Sequence, residues 1–206
     1  MQAWIRDLGK KRSRHLSFDE AAKVAEHVIG GAATDAQVSA FLMGMRMRGE
    51  HADELSGWAD VFRRTMPAFP SVPDSVHCAG SGEPRTIVPV NVPVGLLLAS
   101  VGIPHVLQGG HRLPMQPGVG LVELLERIGV HAVRESGRWV EAFRNVRIGC
   151  FQAEALCPVL TRLQPMREQI GLGTMLDTVE RLLNPLASGA IVIGVPNRRG
   201  ADALIW

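Results

Sequence analysis

Apolar residues recur at helical spacing through the first 67 residues, and this pattern predicts four helices joined by short loops. Two of these helices begin at capping boxes, formed by Ser17 with Glu20 and by Thr34 with Gln37. In each box the first side chain accepts from a backbone N–H that the helix leaves unpaired, and the second reaches back to the first residue. Glycines follow the apolar stripes and predict where the helices end.

After residue 74 the pattern changes, because short apolar runs of strand length alternate with helical stretches. Strands are predicted at 75–79, 105–108, 148–151 and 190–195. The last of these is the clearest candidate for a buried strand. An almost unbroken apolar run over 92–101 predicts a buried helix that ends at Gly102. Two further helical pieces, 156–163 and 166–170, are expected to be separated at Pro165. This alternation predicts a mostly parallel sheet.

These patterns divide the chain of 206 residues into two parts. We expect a helical domain over 1–67, a linker over 68–74 that contains two prolines, and an α/β domain over 75–206. The last few residues read as the start of a helix that reaches the end of the sequence without a cap.

The overall composition excludes several classes of protein. Hydrophobic residues make up 46% and charged residues 20% of the chain, which indicates a soluble globular protein rather than a disordered one. No apolar run approaches the roughly 18 residues that cross a membrane, and the first residues lack a signal core, so we expect a cytoplasmic protein without membrane contact. Cys78, Cys150 and Cys157 form no CxxC pair, and we expect buried thiols rather than a disulfide or zinc site.

One glycine-containing loop has the form of a phosphate site. Gly80, Ser81 and Gly82 follow the first strand and precede a helix, an arrangement that presents backbone N–H groups to an anion. A plain turn is the favoured alternative, because Glu83 places a carboxylate where a phosphate would sit. Asn91 is expected to be the N-cap of the next helix, where its side chain would compete with an anion for the same N–H groups.

Two arginines are further candidates for binding. Arg112 lies in a loop that starts at Gly109, where it would contact a ligand or, as the favoured alternative, only solvent. Arg167 lies in a predicted helical piece, and the sequence leaves open whether it binds a ligand or forms an ion pair. The isolated histidines His77, His105 and His131 show no ligand spacing, and a structural role is favoured for them.

The run over 34–50, TDAQVSAFLMGMRMRGE, resembles the helical signature of the anthranilate phosphoribosyltransferase family, which class II pyrimidine nucleoside phosphorylases share. The segment over 157–185 is similar to the later helix region of that family. The resemblance covers essentially the whole chain. It implies an α/β fold of the phosphoribosyltransferase type (nucleoside phosphorylase class II), with a small N-terminal helical domain that dimerises and a mostly parallel-sheet domain like those of glycosyltransferase family 3. Relative to the family, the chain would be truncated, or C-terminally incomplete.

The active-site motifs of the family are eroded in this sequence. Its Gly-Thr-Gly-Gly-Asp-Gly loop corresponds to CAGSGE at 78–83, its Asn-Ile-Ser-Thr to VPVN at 88–91, and its Lys-His-Gly-Asn-Arg-Ser to LQGGHR at 107–112. The remnants of the phosphate-binding motifs are Gly80, Ser81, Gly82, Asn91, Gly109 and Arg112. Arg167 matches the arginine that would hold the anthranilate carboxylate. The acidic pair for Mg²⁺ would lie beyond residue 206. We therefore expect no catalytic residue, no metal site and no cofactor, with Mg²⁺ relevant only if transferase activity persists.

In its lack of the transferase motifs the sequence resembles a branch of the family, the TrpD-like DNA-binding proteins, which keep the fold without those motifs. A basic loop favours the same interpretation: Lys10, Lys11, Arg12 and Arg14 lie within five residues of a chain whose net charge is only +2. The leading hypothesis is a non-catalytic homodimer that binds nucleic acid through its phosphates, with little sequence preference. The alternatives are a glycosyl or phosphoribosyl transferase with a divergent active site, and a protein-interaction module.

Overall fold

The computed structural model describes residues 1–79, 90–109, 121–127, 136–195 and 198–204. Its helices are α1 (Gln2–Leu8), α2 (Phe18–Ile29), α3 (Asp35–Arg48), α4 (Ala52–Arg63), α5 (Asn91–Ser100), α6 (Leu121–Arg127), α7 (Ser136–Val146), α8 (Ala153–Leu156), α9 (Pro158–Ile170), α10 (Met175–Arg181) and α11 (Arg198–Asp202). Its strands are β1 (Val76–Ala79), β2 (His105–Gly109), β3 (Ile148–Gln152) and β4 (Ala190–Ile193). This order matches the predicted one with two differences: α8 was not predicted, and a single helix, α9, replaces the two pieces expected on either side of Pro165.

Both predicted capping boxes are present. The backbone N–H of Glu20 donates to the Ser17 hydroxyl at 3.3 Å, and the Ser17 N–H donates to the Glu20 carboxylate at 3.0 Å. Thr34 and Gln37 make the same reciprocal pair at 3.3 and 3.1 Å. These local bonds satisfy N–H groups at the starts of α2 and α3.

The helical core forms where α2 and α4 cross. Trp58 of α4 is fully buried, and its ring lies 6.1 Å from that of Phe41 and 5.6 Å from that of Phe62. The crossing is close at Gly57, because a Cβ there would lie 2.6 Å from the carbonyl oxygen of Phe18. A larger side chain at this position would push the two helices apart.

Helices from the second half of the chain join the same core. Buried apolar residues of α8, α9 and α10 pack together with those of α2, α3 and α4. The expected break at Pro165 is wrong, since α9 continues through it. Leu163 and Met166, on either side of the proline, are buried in this core. The free energy gained by their burial offsets the free energy lost with the helical hydrogen bond that the proline cannot donate. The proposed domain boundaries at 67 and 75 remain a prediction.

The four described strands form a parallel sheet in the order β3-β2-β1-β4. One face is covered by α5 and α6, with Leu107 and Cys150 beneath them. The other face packs Val106 and Phe151 against Trp139 and Phe143 of α7. The predicted fold class, a helical domain followed by a mostly parallel α/β domain, is confirmed.

Two predictions about burial are wrong. β4 is an edge strand, and both Ile191 and Val192 are exposed although their side chains point to opposite faces. The helix predicted to be buried, α5, buries only Val92 and Gly95. In both cases the reason is position, because β4 has a described neighbour on one side only and α5 has the sheet beneath it but no described layer above it.

Within the part of the chain that the structure describes, no helix is both long enough and apolar enough to cross a membrane.

Candidate functional site

The segment that matches the family's phosphate-binding loop follows β1, the strand at which the order of strands in the sheet changes direction. β1 has β2 on one side and β4 on the other, so chain connections leave it in two directions. In open parallel sheets, ligands bind at the carboxyl ends of the strands beside such a reversal. The described part of β1 ends at Ala79, immediately before the candidate residues Gly80, Ser81 and Gly82. Those three residues lie outside the described part of the chain.

Of the other three residues predicted to remain from the phosphate-binding motifs, the structure describes two at or near this edge of the sheet. Gly109 is the buried last residue of β2. Asn91 is the first residue of α5, and the N-cap position belongs to Val90. The expected N-cap role of Asn91 is therefore wrong, because the helix begins one residue earlier than predicted. Arg112 falls outside the described residues.

Arg167 is held inside the protein by two carboxylates. Its side chain is 1% exposed, and its guanidinium forms ion pairs with Glu180 and, at 3.0 Å, with Asp177. Both carboxylates come from α10, which packs beside α9 in the helical core. The sequence left open an ion pair or a binding role, and the contacts made by Arg167 are those of a buried ion pair.

Burial and mutual charge set the protonation of this cluster. Burial raises the pKa of Glu180 to about 7, and repulsion from Glu154 and Asp177 adds to this increase while Arg167 opposes it. Burial alone would lower the pKa of Arg167, but Glu180 and Asp177 more than compensate and raise it. The positive charge of Arg167 is therefore permanent, and it is neutralised by the protein's own carboxylates.

The basic loop over 10–15 connects α1 to α2 and contains two kinds of cation. The Nζ of Lys10 lies 2.5 Å from the Asp7 carboxylate, and Arg14 makes a two-pronged ion pair with Glu20. Lys11 and Arg12 are exposed, and neither makes an ion pair with any residue that the structure describes. The loop therefore presents two cations with local carboxylate partners and two without them.

A buried carboxylate anchors the end of this loop. Glu54, near the start of α4, is fully buried and accepts from the backbone N–H groups of Leu16 at 2.7 Å and His51 at 2.9 Å. Arg48 pairs with the same carboxylate and also donates to the backbone oxygen of Arg14 at 2.6 Å. Sequence reasoning missed this anchor, although the spacing of His51 and Glu54 matches a capping box.

The basic loop and the sheet edge are separate in the structure. Every described hydrogen bond and ion pair of residues 10–15 goes to residues 7–54, all of which lie in the helical layer. Asn91 and Gly109 belong to the sheet layer, and Arg167 is a buried residue of α9. The predicted site residues that the structure describes therefore occupy three places rather than one cleft.

Comparisons with known proteins agree with this architecture. The glycosyl transferase family, helical bundle domain, matches residues 2–66. The anthranilate phosphoribosyltransferase of Herpetosiphon aurantiacus is 30% identical over 190 residues, which cover 92% of this chain and 56% of that protein. The enzyme of Dictyoglomus thermophilum is 27% identical over 183 residues, which cover 88% and 54%. This chain is a distant anthranilate phosphoribosyltransferase homologue.

Solved structures support the same fold for this homologue. The anthranilate phosphoribosyltransferase of Thermus thermophilus superposes with a TM-score of 0.80 at 22% identity, covering 98% of this chain and 61% of that one. The Saccharomyces cerevisiae enzyme, solved in complex with PRPP and Mg, gives a TM-score of 0.75 at 15% identity, covering 97% and 59%. The homologue spans little more than half the length of the curated relatives that it matches.

Proposed function

We propose that this anthranilate phosphoribosyltransferase homologue is a non-catalytic, cytoplasmic protein that binds nucleic acid through its phosphates. The observation that carries the proposal is the exposed pair Lys11 and Arg12 on the anchored loop. A loop held at its end by Glu54 and Arg48 presents these cations with little ordering cost, and cations that lack carboxylate partners are available to phosphate oxygens. No Phe, Tyr or Trp lies in the loop, so contacts to phosphates would dominate and sequence preference would be weak.

The absence of catalysis is proposed on two grounds. Glu83 replaces a neutral position of the family's phosphoribosyl loop, and like charges in a partly desolvated site repel by several kcal/mol at about 4 Å. Arg167, which matches the substrate-side arginine, is occupied by Glu180 and Asp177. A second carboxylate from a substrate would enter a cluster that is already negative.

Salt dependence tests the nucleic-acid proposal. Fluorescence anisotropy with a labelled DNA duplex at several salt concentrations should give a linear fall of log affinity against log salt. Two phosphate contacts predict a slope of about −1.8, and four predict about −3.6. Lack of binding to duplex or single-stranded DNA at low salt would refute the proposal.

A matched pair of double variants locates the contact. Replacing Lys11 and Arg12 by Ala should weaken binding on all sequences alike and remove most of the salt slope. Replacing Lys10 and Arg14 by Ala changes the formal charge equally, but the effect should be smaller because Asp7 and Glu20 already offset those cations. Equal effects of the two double variants would show that the two exposed cations have no special role.

We also propose that the chain is a homodimer through the outer face of α3. Ala36, Ala40 and Met47 are exposed and Met43 is half-buried, so one face of this helix is apolar and open. Contiguous exposed apolar residues of this kind mark protein contacts. Sedimentation of Met47→Glu should show a loss of association relative to the wild type, and an unchanged mass would refute this interface.

A transferase with a divergent site is the second candidate, favoured by the homology and by the position of the glycine loop beside β1. Among the described residues, no group of His, Cys, Asp or Glu is arranged to hold a metal ion. Asp177 and Glu180 lie close together but are engaged by Arg167, so they do not fit Mg²⁺. Calorimetry with PRPP and Mg²⁺ should show no binding in the micromolar range, and micromolar binding would favour the transferase.

A further inference from the structure

His15, the last residue of the basic loop, is fixed by a buried carboxylate. Its Nδ1 lies 3.2 Å from Oε2 of Glu54. The same carboxylate also accepts from Arg48 and from the backbone N–H groups of Leu16 and His51. An ionised carboxylate only accepts hydrogen bonds, so the neutral ring of His15 carries its proton on Nδ1. Nε2 is therefore the atom at which this ring gains a second proton.

The ring of His15 is open to solvent on the side away from Glu54. The side chain is 46% exposed, whereas that of Glu54 is fully buried. Nε2 lies almost opposite Nδ1 across the ring, and it makes no hydrogen bond to any residue that the structure describes. A proton gained at Nε2 therefore becomes a donor that an anion from solvent can reach.

A nucleic-acid strand in contact with Lys11 and Arg12 also has phosphates within reach of His15. The three or four residues of chain between them span at most about 10–14 Å. Phosphates of one DNA strand recur about every 3.4 Å along the helix axis, so several of them fall within that span. The backbone next to His15 is held in place, because Arg48 donates to the carbonyl oxygen of Arg14 at 2.6 Å.

We propose that His15 is a third phosphate-binding residue of the basic loop and that it makes nucleic-acid binding tighter at acidic pH. This role rests on the proposed nucleic-acid binding and adds a ligand to the same site. The charge of a histidine side chain ordinarily changes between about pH 5 and pH 8. The neutral ring offers phosphate no donor at Nε2, whereas the protonated ring offers an N–H group and a positive charge. A phosphate at Nε2 favours the charged ring, so proton uptake and phosphate binding strengthen each other.

Other charged groups surround the loop, and one of them is a second histidine. The loop and the elements in contact with it contribute Asp7, Lys10, Lys11, Arg12, Arg14, Glu20, Arg48, Glu50, His51, Asp53 and Glu54, all within residues 1–79, which the structure describes without a gap. The ring of His51 lies 5.1 Å from that of His15, and its Nδ1 accepts from the backbone N–H of Asp53 at 3.4 Å. Two charged rings at this distance repel, so we expect one proton rather than two to be taken up.

The expected effect follows from the gain of one phosphate contact. Each neutralised phosphate changes the slope of log affinity against log salt by about −0.9, which corresponds to about eightfold in affinity at about 0.1 M salt. The wild type should therefore bind a DNA duplex about eightfold more tightly at pH 5.5 than at pH 8. Its salt slope should also be steeper by about 0.9 at pH 5.5.

Fluorescence anisotropy of the full chain with a labelled duplex at pH 5.5 and pH 8 tests this role. His15→Gln keeps an N–H donor for Glu54 but gains no proton, so it should bind like the wild type at pH 8 and lose the eightfold increase at pH 5.5. His15→Lys carries a permanent charge and should bind at pH 8 as tightly as the wild type does at pH 5.5. His51→Gln is the matched control, since it removes the neighbouring histidine and should keep the full increase.

The outcomes separate this role from the proposed function itself. An increase at pH 5.5 that is lost in His15→Gln and kept in His51→Gln, with unchanged circular dichroism spectra, supports His15 as the phosphate ligand. Equal affinity of the wild type at the two pH values, or an increase that persists in His15→Gln, overturns the role of His15 and leaves the nucleic-acid proposal standing. An increase lost only in His51→Gln also overturns it. Lack of binding at both pH values and low salt overturns both proposals.

Discussion

His77 makes the stability of this fold sensitive to pH. Its side chain is fully buried on β1, with its ring 5.5 Å from that of Phe151. Burial lowers the pKa of His77 from 6.5 to about 4, and the nearby His105 adds to this effect. Gln108 and Asn184 oppose the decrease only in part. The folded protein therefore favours the neutral imidazole over the charged one.

The size of the effect follows from the difference between the two pKa values. The unfolded chain binds a proton at His77 below pH 6.5, whereas the folded chain does so only below about pH 4. Stability is therefore highest above pH 6.5, falls as the pH drops from 6.5 to about 4, and is constant below that as far as this group is concerned. A difference of about 2.5 pH units corresponds to about 3 kcal/mol.

Urea unfolding from pH 4 to pH 8 measures this contribution when the wild type is compared with His77→Gln. Glu180, whose pKa burial raises to about 7, destabilises the fold as pH increases above 4.5, but it is present in both proteins and cancels in the difference. The difference in free energy of unfolding should change by about 3 kcal/mol across the interval, and His77→Asn should give the same slope. Parallel profiles for the wild type and both variants would refute the argument.

Two further predictions concern packing and the buried charges. Arg167→Met leaves the buried carboxylates of Glu180 and Asp177 without their cation and should lower the free energy of unfolding by about 3–5 kcal/mol at pH 8; a loss below about 1 kcal/mol would contradict a structural ion pair. Gly57→Ala forces a Cβ against the carbonyl oxygen of Phe18 and should lower the free energy of unfolding by about 1–3 kcal/mol. Gly9→Ala is the control and should cost less, because its Cβ would lie 3.5 Å from the nearest atom, the carbonyl oxygen of Arg6. Thermal unfolding of both variants measures the difference.

The helical start of the chain was predictable because its signals are local. Ser17 with Glu20 and Thr34 with Gln37 lie within one helical turn, so the sequence contains both partners of each capping bond. The order of strands and helices in the second half followed from run length and glycine positions in the same way. Pro165 shows the limit of such signals, since packing on both sides of it carries α9 through a residue that usually ends a helix.

The charged candidates were only partly predictable. Sequence reasoning found Arg167 but not its carboxylate partners, which lie 10 and 13 residues further along the chain on another helix. It counted four cations in the basic loop, but only the fold shows that Lys10 and Arg14 have carboxylate partners. It missed Glu54, because a buried carboxylate in an exposed-looking segment is recognised only from the groups that surround it.

Local patterns in the sequence predict most of the helices and strands of this protein, because those elements depend on neighbours within a few positions. Which of their surfaces are buried follows from the packing of distant segments. The apolar runs of α5 and β4 read as buried, yet β4 has only one neighbour among the described strands, and Leu97 of α5 and Val192 of β4 are exposed. Burial and charge pairing depend on contacts between residues far apart in the chain, and a linear pattern of hydrophobicity contains no record of those contacts.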